Sequence, residues 1–275
     1  PLRVLRVARF AARFAPLGFT VARETMELMR GIVASDEMAA LVPERVWVET
    51  ERALGEDRPK VYFEVLRECG ALAVVFPEIA ALYGVPQPEK WHPEIDTGVH
   101  TMQVLEVATE LSRDTTVRFA ALVHDVGKGL TPRDAWPRHF GHEDAGARLI
   151  DKLADRLRIP TEHRDLAILV ARHHAGVHRV AEQRPATVLE LFERTDAFRR
   201  PDRFERLLLA CEADARGRGP ERRAAPYPQA DLLRQARAVA AAVKLDPGVL
   251  AREAGPIIAE RMRAARIEAI RELRG

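Results

Sequence analysis

Apolar positions recur at spacings of three, four and seven along most of the 275-residue chain, the period of helices with one buried face. No convincing alternation of apolar and polar positions marks a strand, and no Asn-Gly or Asp-Gly pair marks a hairpin. Self-similarity at a repeat period is also missing. The expected fold class is therefore all-α. The pattern predicts helices over 2–14, from Thr20 as N-cap to 33, near Pro43 and near Pro59, and then over 97–112, 115–125, 142–158, 162–174, 186–198, 202–214, 229–243 and 255–273. Three breaks interrupt it: Pro16-Leu17-Gly18, the stretch from Tyr83 that holds Gly84, Pro86, Pro88 and Pro93, and the Gly- and Arg-rich segment 216–228.

Within the first helix Arg6, Arg9 and Arg13 fall within about 60° of one another, which predicts one basic face and leaves Val4, Val7, Ala11 and Phe14 for the core. The same bias appears on a larger scale. Residues 1–30 carry a net charge of +4 and residues 215–275 of +6, around a middle segment, 91–214, of −3. Basic ends flanking an acidic centre suit polyanion contacts around a carboxylate-containing site. Of the 43 basic residues 38 are Arg, whose forked donors match phosphate, although an Arg-rich composition alone explains the same ratio.

Composition removes several classes. Apolar residues at 47% and charged residues at 31% exclude a disordered or collagen-like chain. No apolar run approaches the roughly 18 residues of a membrane span, and the early arginines break any signal-peptide pattern, so no membrane partner is expected. Cys69 and Cys211 sit in apolar helical patterns and are expected as buried free thiols, in keeping with a reducing cytoplasm. The chain begins at Pro1 with a helix already under way, as expected of a piece of a longer protein.

Three helices place ionisable groups on their apolar stripes. His124 follows Val117, Ala120 and Ala121 by seven, four and three residues, His100 shares a face with Val104, Val107 and Leu111, and Asp214 follows Leu207, Ala210 and Cys211 at the same spacings. A lone buried His is more often a hydrogen-bonded core residue, and a lone Asp at a helix end more often a cap. Three together cost several kcal/mol unless they are paired or hold a metal. Adjacent His124 and Asp125 reach one ion beside their helix end, and an imidazole and carboxylate set suits magnesium, manganese, iron, cobalt or nickel.

The pattern His100, His124-Asp125, Asp214 resembles the H…HD…D signature of the HD-domain metal-dependent phosphohydrolases. The surrounding strings, from His92 to His100, from His124 through Gly127-Lys128-Gly129 to Pro132, Trp136 to His139, and Glu212 to Arg218, are similar to the HD domain of the multifunctional CCA proteins, tRNA nucleotidyltransferases fused to a phosphohydrolase. Residues 1–19 resemble the neck of that family, where two arginines three apart help bind the incoming nucleotide; Arg3 and Arg6 match them. The acidic residue that precedes the proline in the family would lie before Pro1. No segment resembles the Gly-rich strand or the carboxylate pair of the polymerase head, so this polypeptide alone is not expected to add CCA.

The resemblance implies a division into a neck and body, 1–83, a linker, 84–96, an HD domain, 97–215, and a basic helical tail, 216–275. It implies 2′,3′-cyclic phosphodiesterase and phosphatase activity on tRNA 3′ ends or nucleotides, with His100, His124, Asp125 and Asp214 as ligands of a divalent metal (Mg2+, Mn2+, Ni2+ or Co2+). His124, Asp125 and Lys128 are the catalytic candidates, and Lys128 either steadies a phosphate oxygen or is a solvated surface lysine. His142 and His174 are candidates for a second metal or phosphate site. ATP and CTP are implied as substrates of the intact enzyme only. Arg9 and Arg13, and in the tail Arg261, Arg263 and Arg266, are candidates to contact tRNA; the tail helix is otherwise a basic dimer or packing helix. The competing expectation is a tRNA-binding or homodimerisation module with a degenerate HD site.

Overall fold

The computed structural model describes residues 1–35, 37–89, 94–246 and 254–273, so His92 and Pro93 of the motif strings lie outside the described residues. The described chain is helical: α1 Leu2–Phe14, α2 Arg23–Ala34, α3 Pro43–Gly55, α4 Pro59–Glu68, α5 Ala71–Val75, α6 Pro77–Ala80, α7 Thr97–Leu111, α8 Thr115–Val123, α9 His142–Leu157, α10 Thr161–His178, α11 Pro185–Arg194, α12 Pro201–Arg216, α13 Pro228–Ala242 and α14 Gly255–Leu273. Strands are absent among the described residues. Several helices open on a proline, whose fixed φ and missing N–H suit the first turn. Two helices that carry the polar core residues are capped by aspartates. Asp96 accepts from the Val99 N–H at 2.9 Å above α7, and Asp114 accepts from the Thr116 N–H at 2.8 Å above α8.

Two local expectations are corrected. α2 begins at Arg23 after an extended Ala22, so Thr20 is not its cap; the turn at residues 15–17 and the left-handed Gly18 carry the chain past it. In α1, packing against both α3 and α4 widens the buried arc beyond a single stripe, to Val4, Leu5, Ala8, Ala11 and Ala12. Arg9 falls inside that arc and pairs with buried Glu49 at 2.7 Å, while Phe14, expected in the core, is exposed.

By packing, the chain forms two compact units: Pro1–His174 with Leu209–Ala225, and Ala175–Leu208 with Pro226–Gly275. In the smaller unit α14 packs on α11 and α13. There Arg263 pairs with Glu193 at 3.2 Å and the Arg266 guanidinium stacks over the Phe198 ring at 4.3 Å. In the larger unit both cysteines are buried and unbridged, as the sequence suggested for each.

Arg118 joins three helices of the larger unit. Its guanidinium, 2% exposed, donates to Leu54 O and Glu56 O at the end of α3, to Ser112 O just beyond α7 and to Thr109 O in the last turn of α7. It thereby satisfies carbonyls that helix ends leave without intrahelical partners. Burial pulls its pKa down from the ordinary arginine value. Replacing Arg118 by Met is expected to strand these carbonyls and to lower stability by about 3 kcal/mol. Urea unfolding reads this as a lower midpoint; a loss below about 0.5 kcal/mol would refute the role.

Candidate metal centre

Four helices and one turn of the larger unit converge on a single buried cluster. α7 brings His100, the end of α8 brings His124 and Asp125, α9 opens with His142, α10 brings His174 and α12 brings Asp214. Two backbone approaches allow it. A Cβ on Gly127 would overlap the His142 carbonyl oxygen and stand 2.6 Å from the Gly146 N, so only glycine lets the turn after Asp125 sit on the first turn of α9. A Cβ on Gly217 would stand 2.8 Å from Val104 Cα, so glycine lets the end of α12 close on α7 one turn from His100.

The donors form two groups of three, His100 with His124 and Asp214, and Asp125 with His142 and His174; within each group the ligand atoms lie within 4.8 Å of one another. His124 Nε2 lies 3.1 Å from Asp125 Oδ2 and 3.7 Å from Asp214 Oδ1. His100 Nε2 lies 3.1 Å from the same Asp214 oxygen. On the other side Asp125 Oδ1 faces His142 Nε2 at 3.4 Å and His174 Nε2 at 3.6 Å. Asp125 therefore stands between the groups.

The outer nitrogens are fixed by backbone oxygens. His124 Nδ1 lies 2.8 Å from Ala121 O, His142 Nδ1 2.6 Å from His139 O, and His174 Nδ1 3.1 Å from Val170 O and Ala171 O. A carbonyl only accepts, so each Nδ1 donates, and each Nε2 turns to the centre, where in the neutral ring it offers a lone pair. This is the arrangement by which partners behind a metal ligand set its tautomer and aim. His124 Nε2, Asp125 Oδ1 and His142 Nε2 are buried and have no hydrogen-bond partner of adequate geometry. Buried polar atoms left so are costly, and a divalent cation among them satisfies all three. The residues present thus fit a metal.

Electrostatics agree with that fit. Burial alone would raise the Asp125 carboxyl, yet His124 and Lys128 hold it well below the usual carboxylate range. Burial works against charge on His124, but Asp125 and Asp214 outweigh it and raise its pKa; Asp125 does the same for His142.

Lys128 is no solvated lysine. It is 8% exposed, with Nζ 2.7 Å from Asp125 Oδ2 and donating to Gln87 Oε1 at 2.5 Å. Two residues at the centre escaped sequence reasoning. Glu94, on the segment before α7, places Oε1 2.9 Å from His100 Nδ1, and Arg218, beyond α12, places Nη2 3.3 Å from both oxygens of Asp214. His139 is held between Thr131 Oγ1 and Pro86 O and its pKa is pushed down by burial, a packing role. Arg3 and Arg13 are exposed on α1, and Arg6 is partly held by Glu49 at 3.3 Å. None of the arginines of α1 is part of the cluster, and Arg261, Arg263 and Arg266 belong to the smaller unit.

Residues 97–216 match the family described as HD domain, and residues 18–83 match the one described as probable RNA and SrmB-binding site of polymerase A. The multifunctional CCA protein of Thioalkalivibrio sulfidiphilus is 60% identical over 275 residues, 100% of this chain and 67% of that protein. This chain belongs to the multifunctional CCA protein family. A second member, from Nitrosococcus oceani, is 58% identical over 273 residues, 99% of this chain and 66% of its own length. The chain spans about two thirds of the length of these multifunctional CCA proteins, and the cluster falls inside its HD domain. No helix among the described residues is long and apolar enough to cross a membrane.

Gly127→Ala tests the close approach that holds the centre. The added methyl is expected to push α9 off the turn, to lower stability by about 1–3 kcal/mol and to reduce the manganese retained after dialysis. Unchanged melting and unchanged metal content would show that the approach does not hold the centre together.

Proposed function

We propose that this chain is the phosphohydrolase part of a multifunctional CCA protein, acting as a metal-dependent 2′,3′-cyclic phosphodiesterase and phosphatase on tRNA 3′ ends or nucleotides. The observation that carries the reading is the pair of buried donor groups that meet at adjacent His124 and Asp125, with imidazole Nε2 atoms turned inward. His100, His124, Asp125 and Asp214 would hold one divalent cation, and His142 and His174, with Asp125, a second. A metal bound there supplies an activated water and polarises the phosphate.

The side chains of the protein do the rest. Glu94 orients the His100 ring, and the carbonyls of Ala121, His139, Val170 and Ala171 orient the others. Lys128 keeps Asp125 ionised and positioned, and its ammonium is the candidate to hold a non-bridging phosphate oxygen. Removing a cyclic or terminal phosphate restores the hydroxyl that nucleotide addition requires, which links this activity to the tRNA chemistry of the intact protein.

In that intact protein residues 1–83 would serve as neck and body, 84–96 as linker and 216–275 as tail, with Arg3 and Arg6 at the incoming nucleotide and CCA addition performed with CTP and ATP. Exposed Arg13, and Arg261 on α14, are candidates for tRNA phosphate. Arg263 and Arg266, whose side chains also contact Glu193 and Phe198, are candidates on the same helix, and Arg9 is committed to Glu49. The reducing cytoplasm is the setting in which the unbridged cysteines and a tRNA substrate both fit.

Hydrolysis of a 2′,3′-cyclic nucleotide by metal-stripped protein, titrated with magnesium, manganese, cobalt and nickel, tests the reading. Activity is expected to return with at least one ion and to fall by more than about 100-fold in Asp125→Ala. A folded protein inert with every ion would overturn it in favour of a tRNA-binding module.

A further inference from the structure

Arg218 is the one cation beside Asp214 that the hydrolytic reading leaves without a task. Its side chain is 22% exposed and stands at the other carboxylate from Lys128: Lys128 contacts Asp125, whereas Arg218 contacts Asp214. The contact is poor. Nη2 lies 3.3 Å from each Asp214 oxygen, where a strong guanidinium-carboxylate pair closes to about 2.7–2.9 Å. Nε is buried and has no hydrogen-bond partner. Nε and Nη2 form one edge of the planar fork, so an entire side of a largely buried guanidinium is held loosely or not at all. The charge itself is kept: burial opposes it, but Asp214, Asp125 and Glu94 more than compensate.

A structural arginine whose task is to orient Asp214 would close on it with both donors. Instead Asp214 shares Oδ1 with His100 Nε2 and faces His124 Nε2, which are ligand positions. Once Asp214 is committed to a cation, the Nε and Nη2 edge needs another pair of acceptor oxygens. Two oxygens of a tetrahedral phosphate have the spacing that this edge matches.

We propose that Arg218 binds the phosphate of the substrate and of the product, its Nε and Nη2 edge donating to two non-bridging oxygens at the Asp214 side of the metal centre. The inference rests on the phosphohydrolase reading and deepens it. Arg218 is thus a substrate-binding residue and not a metal ligand. It makes retention of inorganic phosphate, the common product of the phosphatase reaction, a property of this side chain.

The test compares wild type with Arg218→Gln and Arg218→Lys in the manganese-loaded full chain. Inorganic phosphate binding is read by calorimetry, retained manganese by elemental analysis, and KM and kcat with a 2′,3′-cyclic nucleotide. Arg218→Gln is expected to weaken phosphate binding and raise KM by about 10- to 100-fold, with manganese content unchanged. Arg218→Lys, which restores charge without the fork, should recover only part of the loss. The inference is overturned if both variants bind phosphate as wild type does, or if phosphate binding falls only in proportion to lost manganese, which would make Arg218 a positioning residue for Asp214. Should one variant fail to fold, the other decides between these outcomes. Wild type that takes up manganese yet neither binds phosphate nor hydrolyses the nucleotide would overturn the underlying reading as well.

Discussion

Asp125 and Asp214 are both nearly inaccessible to water, and both carboxylates approach the same imidazole nitrogen, His124 Nε2, at 3.1 and 3.7 Å. Two such charges in an apolar helical core are unfavourable by several kcal/mol each unless compensated. Much of the larger unit is arranged around that compensation. Lys128 and Arg218 stand at the two carboxylates, four imidazoles face them, and backbone carbonyls behind three of the rings fix which nitrogen faces inward. Among the atoms left unsatisfied, His124 Nε2, Asp125 Oδ1 and His142 Nε2 are ones a divalent cation satisfies.

Holding that cluster requires elements far apart in sequence to meet at fixed places. His100 and Asp214 are separated by more than a hundred residues, and their helices touch because Gly217 presents no side chain to the α7 backbone. The caps at Asp96 and Asp114 fix where α7 and α8 begin, and Arg118 fastens the ends of α3 and α7 to α8. Helices α1 to α9 are in this way parts of one compact unit. A metal centre built at their helix ends inherits its rigidity from that packing.

Much of this was legible in the amino-acid pattern, and the exceptions have physical causes. Periodicity located the helices and placed His100, His124 and Asp214 on buried faces, because a 3.6-residue repeat reports which side of a helix meets the core. It does not report what lies across from that side. Arg9 therefore read as part of a solvent-facing stripe, although α3 supplies Glu49 opposite it. Lys128 stood open between a phosphate contact and a solvated lysine until Gln87, from the proline-rich segment before α7, enclosed it. Glu94 and Arg218 were missed because both lie outside helical periodicity, one before α7 and one after α12. Thr20 looked like a cap from its residue type, and the turn at Pro16 to Gly18 displaced the helix start beyond it.

The central claim is that two adjacent divalent cations bind between α7, α8, α9, α10 and α12. Anomalous diffraction from crystals grown with manganese tests it most directly. The account predicts one peak among His100, His124 and Asp214 and a second among Asp125, His142 and His174. Density without anomalous signal at either position, in crystals whose His124 and Asp125 side chains are ordered, would contradict it.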